Sequence, residues 1–326
     1  MRKNKKSSLI NKKNDRIVWV DYFRGICILC VLGIHFGLPL SIYRFFSSFF
    51  LTGFFFVSGY LKKSHHETID QLFNRICSLL IPFLAFGLIE MSINAIMQKE
   101  PIFSLLIGFI SQISGTGRDL LWFISCLIVC EILSWIIKKV YNIKIQMAIY
   151  FCLLLLGFWF SYLNVKLIWH IEVAFIMIFF IQLGGDYRKF ESKICNYEWK
   201  IGIVSLILYG SLILLFPNMY VDVHLGIYTN PVVFMISACV SIPLMIVICK
   251  RISFLYPLQY IGENTLMYYA VHGKCQIIIK KIIKQLSLSR YITWILVYVV
   301  VVIIIGCFAA IINKWVPELA GRKRRK

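Results

Sequence analysis

Asp21, Arg24 and His35 interrupt an apolar run that extends from residue 17 to residue 38. An ionisable side chain costs roughly 2.5–3.5 kcal/mol at the centre of a membrane span on insertion scales, so it stays there only for a partner or a task. At about 100° of helical rotation per residue, Asp21, Arg24, Gly25, Ile28, Leu32 and His35 fall in one narrow stripe. That stripe must face protein or water. A rise of ~1.5 Å per residue carries His35 on the order of 16 Å deeper than Arg24, near the middle of a hydrocarbon core about 30 Å thick. Imidazole titrates near neutrality and can take or return a proton, or attack a carbonyl carbon itself. Arginine adds a fixed cation whose planar fork suits oxyanions and phosphates.

The elements that hold these residues are membrane helices. The chain has 326 residues, 60% hydrophobic and 16% aromatic, with a mean hydropathy of +0.78. That composition excludes an ordinary soluble domain. Spans are predicted at about 17–38, 45–61, 76–97, 120–137, 145–163, 167–185, 201–216, 231–249, 260–279 and 291–312. Their length and the lack of a period of two point to helices, not a β-barrel. The expected fold is an all-α polytopic membrane protein of about ten helices, with basic tails at 1–16 and 313–326 flanking a membrane domain at 17–312. With both termini cytoplasmic, inward segments carry twenty-five Lys and Arg residues and outward segments nine, as the positive-inside rule requires. Residues 101–117 are read as an extracellular or re-entrant segment, because a crossing there would invert every later loop and place fifteen Lys and Arg residues outside. The basic cluster Lys280, Lys281 and Lys284 is the exception on the outer side. It suits an interfacial stretch with side chains reaching the headgroups, or a site for an anionic lipid-linked acceptor.

The formal net charge of +20 follows from this loop bias and the two tails, which are suited to anionic lipid rather than nucleic acid. Eleven cysteines lie mostly within spans and show no CxxC or metal spacing, so disulfides and a bound metal are not expected. Neither a cleavable signal peptide nor an appended soluble domain is expected. His65 and His66 sit in a charged inward loop, where solvation explains them.

Several segments form an ordered set: WVDYFRGICILCVLGIHFG at 19–37, FFFVSGYL at 54–61, NRICSLLIPF around Arg75, LLWFISCL at 120–127, IEVAFIMIFFIQLGGDYRK at 171–189 and YIGENTLMYYAVHG at 260–273. Together they resemble the membrane-bound acyltransferase-3 family, and within it the branch similar to fucose 4-O-acetylases and polysaccharide O-acyltransferases. The resemblance covers about residues 17 to 312. It implies an integral enzyme of the plasma membrane that takes an acyl group, usually acetyl from acetyl-CoA, and passes it to a carbohydrate acceptor. It further implies that His35 is catalytic and that Arg24 and Arg75 serve activity. Thr265 stands where serine is commoner and keeps the hydroxyl. The outer hydrolase-like domain of more extended members is not expected here.

Acyl transfer from a thioester to an alcohol needs a base, and His35 is the candidate, as general base or as transient acyl carrier. Arg24 and Arg75 are placed to hold coenzyme A phosphates. Asp21, one turn before Arg24, either neutralises it as an i,i+3 pair or orients it for catalysis. Glu90 and Glu131 lie in spans and serve either structural pairing or a polar substrate group. Trp122 fits the family's Trp-Phe element and equally an interfacial aromatic. His272 closes the 260–273 motif as a second histidine near substrate, and His170 and Glu172 lie near an outer loop within reach of an acceptor. Ten helices with buried charges also suit a transporter, although no inverted repeat is visible.

Overall fold

The computed structural model describes residues 10–11, 16–62, 68–98, 101–114, 121–252 and 255–322. Most of the N-terminal basic tail, residues 323–326, and His65 and His66 lie outside them. The described residues form thirteen α-helices: α1 (Val18–His35), α2 (Leu40–Tyr43), α3 (Phe50–Tyr60), α4 (Ile69–Gln98), α5 (Ile102–Ser114), α6 (Trp122–Ile137), α7 (Ile143–Tyr162), α8 (Ile171–Ile194), α9 (Glu198–Leu215), α10 (Pro231–Arg251), α11 (Tyr256–Glu263), α12 (Thr265–Lys284) and α13 (Arg290–Trp315). Two minimal hairpins pair Ile10–Asn11 with Arg16–Ile17 and Val221–Asp222 with Ile227–Tyr228.

Among the described residues, six helical stretches are long and apolar enough to cross a membrane: Val18–His35, Ile69–Ile93, Ile143–Tyr162, Ile168–Leu215, Pro231–Arg251 and Arg290–Trp315. Shorter apolar helices occupy Phe50–Tyr60 and Trp122–Ile137. Their outer faces are greasy: Phe151, Leu155 and Trp159 on α7 are each more than half exposed, as are Val204, Leu206 and Ile207 on α9. Apolar surface on this scale is tolerable only in lipid, and the chain is a multi-pass membrane protein. Pro82 in α4 and Pro243 in α10 sit inside helices, which membrane helices tolerate because neighbouring groups satisfy the freed carbonyls.

The helices depart from the expected spans where polar residues decide the backbone. The single span expected at 260–279 is broken at Asn264, whose backbone (φ −117°, ψ 22°) separates α11 from α12 while its Nδ2 donates to the Tyr260 carbonyl at 2.8 Å. Helix α8 runs on through the basic loop expected after residue 185, because its Arg, Lys and Glu residues are good helix formers, and a short turn at Cys195–Tyr197 leads into α9. Between 101 and 117 lies α5, whose thirteen residues rise only about 20 Å, short of a core about 30 Å thick.

Two compact units divide the chain. The first comprises Met1–Val57, Arg188–Tyr220 and Thr229–Gly306, the second Ser58–Tyr187, Val221–Tyr228 and Cys307–Lys326. In the first, α1 lies against α10, α11 and α12 and buries Phe23, Ile28 and Leu32 completely. Lys250 at the end of α10 is held by Glu191 at 2.7 Å and Glu198 at 2.6 Å, with Trp19 beneath the ammonium at 5.6 Å. In the second unit, α4 packs on α5 and α6. Gly157 on α7 lets the backbone of α8 approach: a Cβ there would meet the Glu172 carbonyl oxygen at 3.0 Å.

Candidate active site

The stripe on α1 turns inward over most of its length. Asp21 (3% exposed), Gly25, Ile28 and Leu32 are buried, Arg24 is half-buried, and His35, the last residue of the helix, is exposed. Glycines bring α11 against this stripe. A Cβ on Gly262 would lie 1.7 Å from the Asp21 carbonyl oxygen, and one on Gly25 would lie 2.5 Å from that of Leu258. Backbone therefore meets backbone, and the Asp-x-x-Arg-Gly motif is seated directly on the Ile-Gly-Glu-Asn motif. The second histidine arrives on α12. Its ring centroid is 4.7 Å from that of His35, tilted by 48°, and Gln276, one turn on, donates from Nε2 to the His35 carbonyl at 3.0 Å. His272 itself is 4% exposed.

The tautomer of His272 follows from its partners. Nδ1 lies 2.8 Å from the Tyr269 carbonyl oxygen and 3.1 Å from that of Tyr268. Carbonyls only accept, so Nδ1 carries the proton and Nε2 the lone pair.

In the second unit the Ser-Gly-Tyr element and Arg75 converge on one carboxylate. Glu131 on α6 is wholly buried; its Oε1 accepts from Ser58 at 2.8 Å, and its Oε2 faces Lys62 at 2.7 Å and Arg75 at 2.8 Å. Lys62 also donates to Ser134, one turn along α6, at 3.0 Å. Gly59 lets this corner close: a Cβ there would sit 1.8 Å from the Ile181 carbonyl oxygen, the tight approach that small residues permit between membrane helices. Arg75, with 28% of its side chain exposed, is the accessible end of this charged group.

A third group gathers near the start of α8. Trp122, buried, lies 4.9 Å from His224 and 5.6 Å from His170, whose rings are 5.3 Å apart. His170 Nδ1 is 3.7 Å from Glu172 Oε1, while Glu172 Oε2 accepts from the Leu167 amide at 3.0 Å. Trp169 and His170 both take left-handed backbone conformations (φ 56° and 54°), a strain that the surrounding packing must hold. Glu90 lies half-buried on α4 and Thr265 opens α12.

A family model described as an acyltransferase domain, that of the acyltransferase-3 family, matches residues 17–313. The chain belongs to the acyltransferase-3 family. No curated protein and no solved structure gives a significant match. As a membrane acyltransferase of this family, the protein divides the predicted residues between its units: Asp21, Arg24, His35 and His272 in the first, Arg75, Glu90, Trp122 and Glu131 in the second. Among the described residues no three His, Cys, Asp or Glu side chains are grouped to hold a metal ion. Sequence reasoning passed over Lys62, Ser134, Gly262 and His224. Lys62 follows Ser58 by four residues and Ser134 follows Glu131 by three, the spacings of one helix face, and that was the available signal.

Proposed function

We propose that this acyltransferase moves an acetyl or other short acyl group from an acyl-CoA to a sugar hydroxyl of a cell-surface polysaccharide or its lipid-linked precursor, as in the fucose 4-O-acetylase-like branch of the family. The observation that carries the reading is His35, an accessible imidazole at the end of the motif helix α1. His35 takes the proton of the acceptor hydroxyl as its oxygen attacks the thioester carbonyl. A tetrahedral oxyanion forms, the carbon–sulfur bond breaks, and the imidazolium returns the proton to the departing thiolate. Arg24, on the same helix, is the first unit's cation for the donor's phosphates, with Asp21 orienting it. In the second unit Arg75, fixed in direction by Glu131, offers a planar guanidinium suited to phosphate oxygens.

The cytoplasmic donor enters from the side that carries the basic loops, in the plasma membrane. The transporter alternative has no observation in its favour once the family is known. Purified protein supplied with labelled acetyl-CoA and glycan from its own cells tests the reading. Transfer of label in the wild type, and its loss by at least about a hundredfold in a folded His35→Ala variant, is the expected result. Undiminished transfer in that variant removes His35 from the mechanism.

A further inference from the structure

The group gathered at the start of α8 takes no part in the chemistry assigned to His35, yet it holds a bare carboxylate oxygen in a buried place. We propose that Glu172, His170, Trp122 and His224 form a subsite that binds a neutral sugar ring of the acceptor. This assignment rests on the carbohydrate acceptor proposed above, and all four residues belong to the second unit.

Glu172 is 2% exposed, and only one of its oxygens is satisfied. Oε2 accepts from the Leu167 amide at 3.0 Å. Oε1 has no hydrogen-bond partner among the described residues, and neither has His170 Nδ1, 3.7 Å away, a separation too long for a hydrogen bond between the two. Buried polar atoms are otherwise almost always paired, and an unmade bond costs more at a charged group than at a neutral one. Beside a carboxylate, imidazole keeps its proton on the facing nitrogen, so an acceptor and a donor stand side by side. A hydroxyl group answers both: it donates to Oε1 while its oxygen accepts from Nδ1–H. An ammonium group only donates, and leaves Nδ1–H unanswered. The rings suit the C–H faces of a sugar, whose hydrogens meet the negative face of an aromatic system. Trp122 lies 4.9 Å from His224 and 5.6 Å from His170, and His170, with 13% of its side chain exposed, is the open edge of the group.

The surrounding elements hold these side chains in place. Trp169 and His170 keep their left-handed backbone because Trp169 Nε1 donates to the Ile113 carbonyl of α5 and its ring lies 6.4 Å from that of Phe83 on α4. Strain of this kind gathers at ligand sites. The hairpin that carries His224 is fastened twice, by Ser161 Oγ on the Gly226 carbonyl and by Lys166 Nζ on the Leu225 carbonyl. In the charge count its loop is outward, the side on which a cell-surface glycan is met.

Binding to the purified full-length protein in detergent tests the subsite. The probe is surface glycan from its own cells, freed of O-acyl groups by mild alkali and end-labelled with a fluorophore, and the readout is fluorescence anisotropy. Saturable binding by the wild type is expected. The isosteric Glu172→Gln keeps the Leu167 bond but puts an amide donor in the place of Oε1, and its affinity should fall at least about tenfold while its melting temperature stays with wild type. Should that variant fold poorly, His170→Phe decides instead: it keeps a ring against Trp122, loses the nitrogens, and should bind at least about threefold more weakly. A wild type that does not bind the glycan, a folded Glu172→Gln that binds it equally well, or displacement of the glycan by choline overturns the sugar subsite. Transfer from labelled acetyl-CoA separates the two readings. Glu172→Gln should raise KM for the glycan and leave KM for acetyl-CoA unchanged. A wild type that binds glycan but transfers nothing removes the proposed function and leaves the subsite standing; transfer with the glycan KM unmoved in Glu172→Gln removes the subsite alone.

Discussion

Arg75 is the residue whose role the structure redefines most, because its guanidinium meets a carboxylate before it meets any ligand. Glu131 is wholly buried and shared by Lys62 and Arg75, so the three charges stand or fall together. Removing one partner of a buried ionic group typically costs 3–5 kcal/mol, roughly, since the remaining charge loses its compensation. Glu131→Ala should therefore lose thermal stability heavily in detergent, read as a large drop in melting temperature or a loss of monodisperse protein. Lys62→Met should cost less, because Arg75 still faces the carboxylate. Arg75→Lys preserves the charge but not the planar fork; its stability should stay close to wild type while KM for acetyl-CoA rises about tenfold or more. An unchanged KM would mark Arg75 as structural support for Glu131 only.

At the scale of elements, the closest helix contacts are made by glycine, and their loss is predictable. Gly262→Ala places a methyl 1.7 Å from the Asp21 carbonyl, and Gly59→Ala places one 1.8 Å from that of Ile181. Overpacking commonly costs about 1–3 kcal/mol; here the obstructing atoms are backbone and cannot turn aside, so each substitution should exceed that range. Gly210→Ala is the control. Nothing lies within 4 Å of its Cβ, and removing a helical glycine should stabilise by up to about 1 kcal/mol, visible as an equal or higher melting temperature.

The inward stripe of α1 was legible because residues 3.6 apart share a face, and the close approach at Ser58–Gly59 because small residues announce it. The break at Asn264 was not legible, since an apolar window averages across the short polar run Glu263–Thr265. Nor was the engagement of Arg75 by Glu131: the two are 56 residues apart in sequence, and no local spacing encodes that pairing. His272 was visible as a histidine, but its tautomer depends on two carbonyls that only the folded α12 supplies.

For the whole molecule, orientation is the property that determines where the donor enters, and it rests on parity. Inward segments hold twenty-five Lys and Arg residues against nine outward, if residues 101–117 do not cross. If they did, every later loop would change sides, fifteen of the inward Lys and Arg residues including the final basic segment would lie outside, and the bias would be lost. Helix α5, with thirteen residues, and α3, with eleven, both rise less than a core of about 30 Å, so the parity rests on the charge count. The discontinuity at Asn264 does not alter the count, because α11 is only eight residues long and leaves α12 to complete that passage. The expected outcome is definite. Green fluorescent protein fused after residue 326 should fluoresce and alkaline phosphatase fused there should be inactive, while phosphatase fused within 217–230 should be active. An active phosphatase at the C-terminus together with a fluorescent fusion at the N-terminus would mean an odd number of crossings. The donor side would then follow from α1 alone, whose orientation the seven Lys and Arg residues before residue 17 govern.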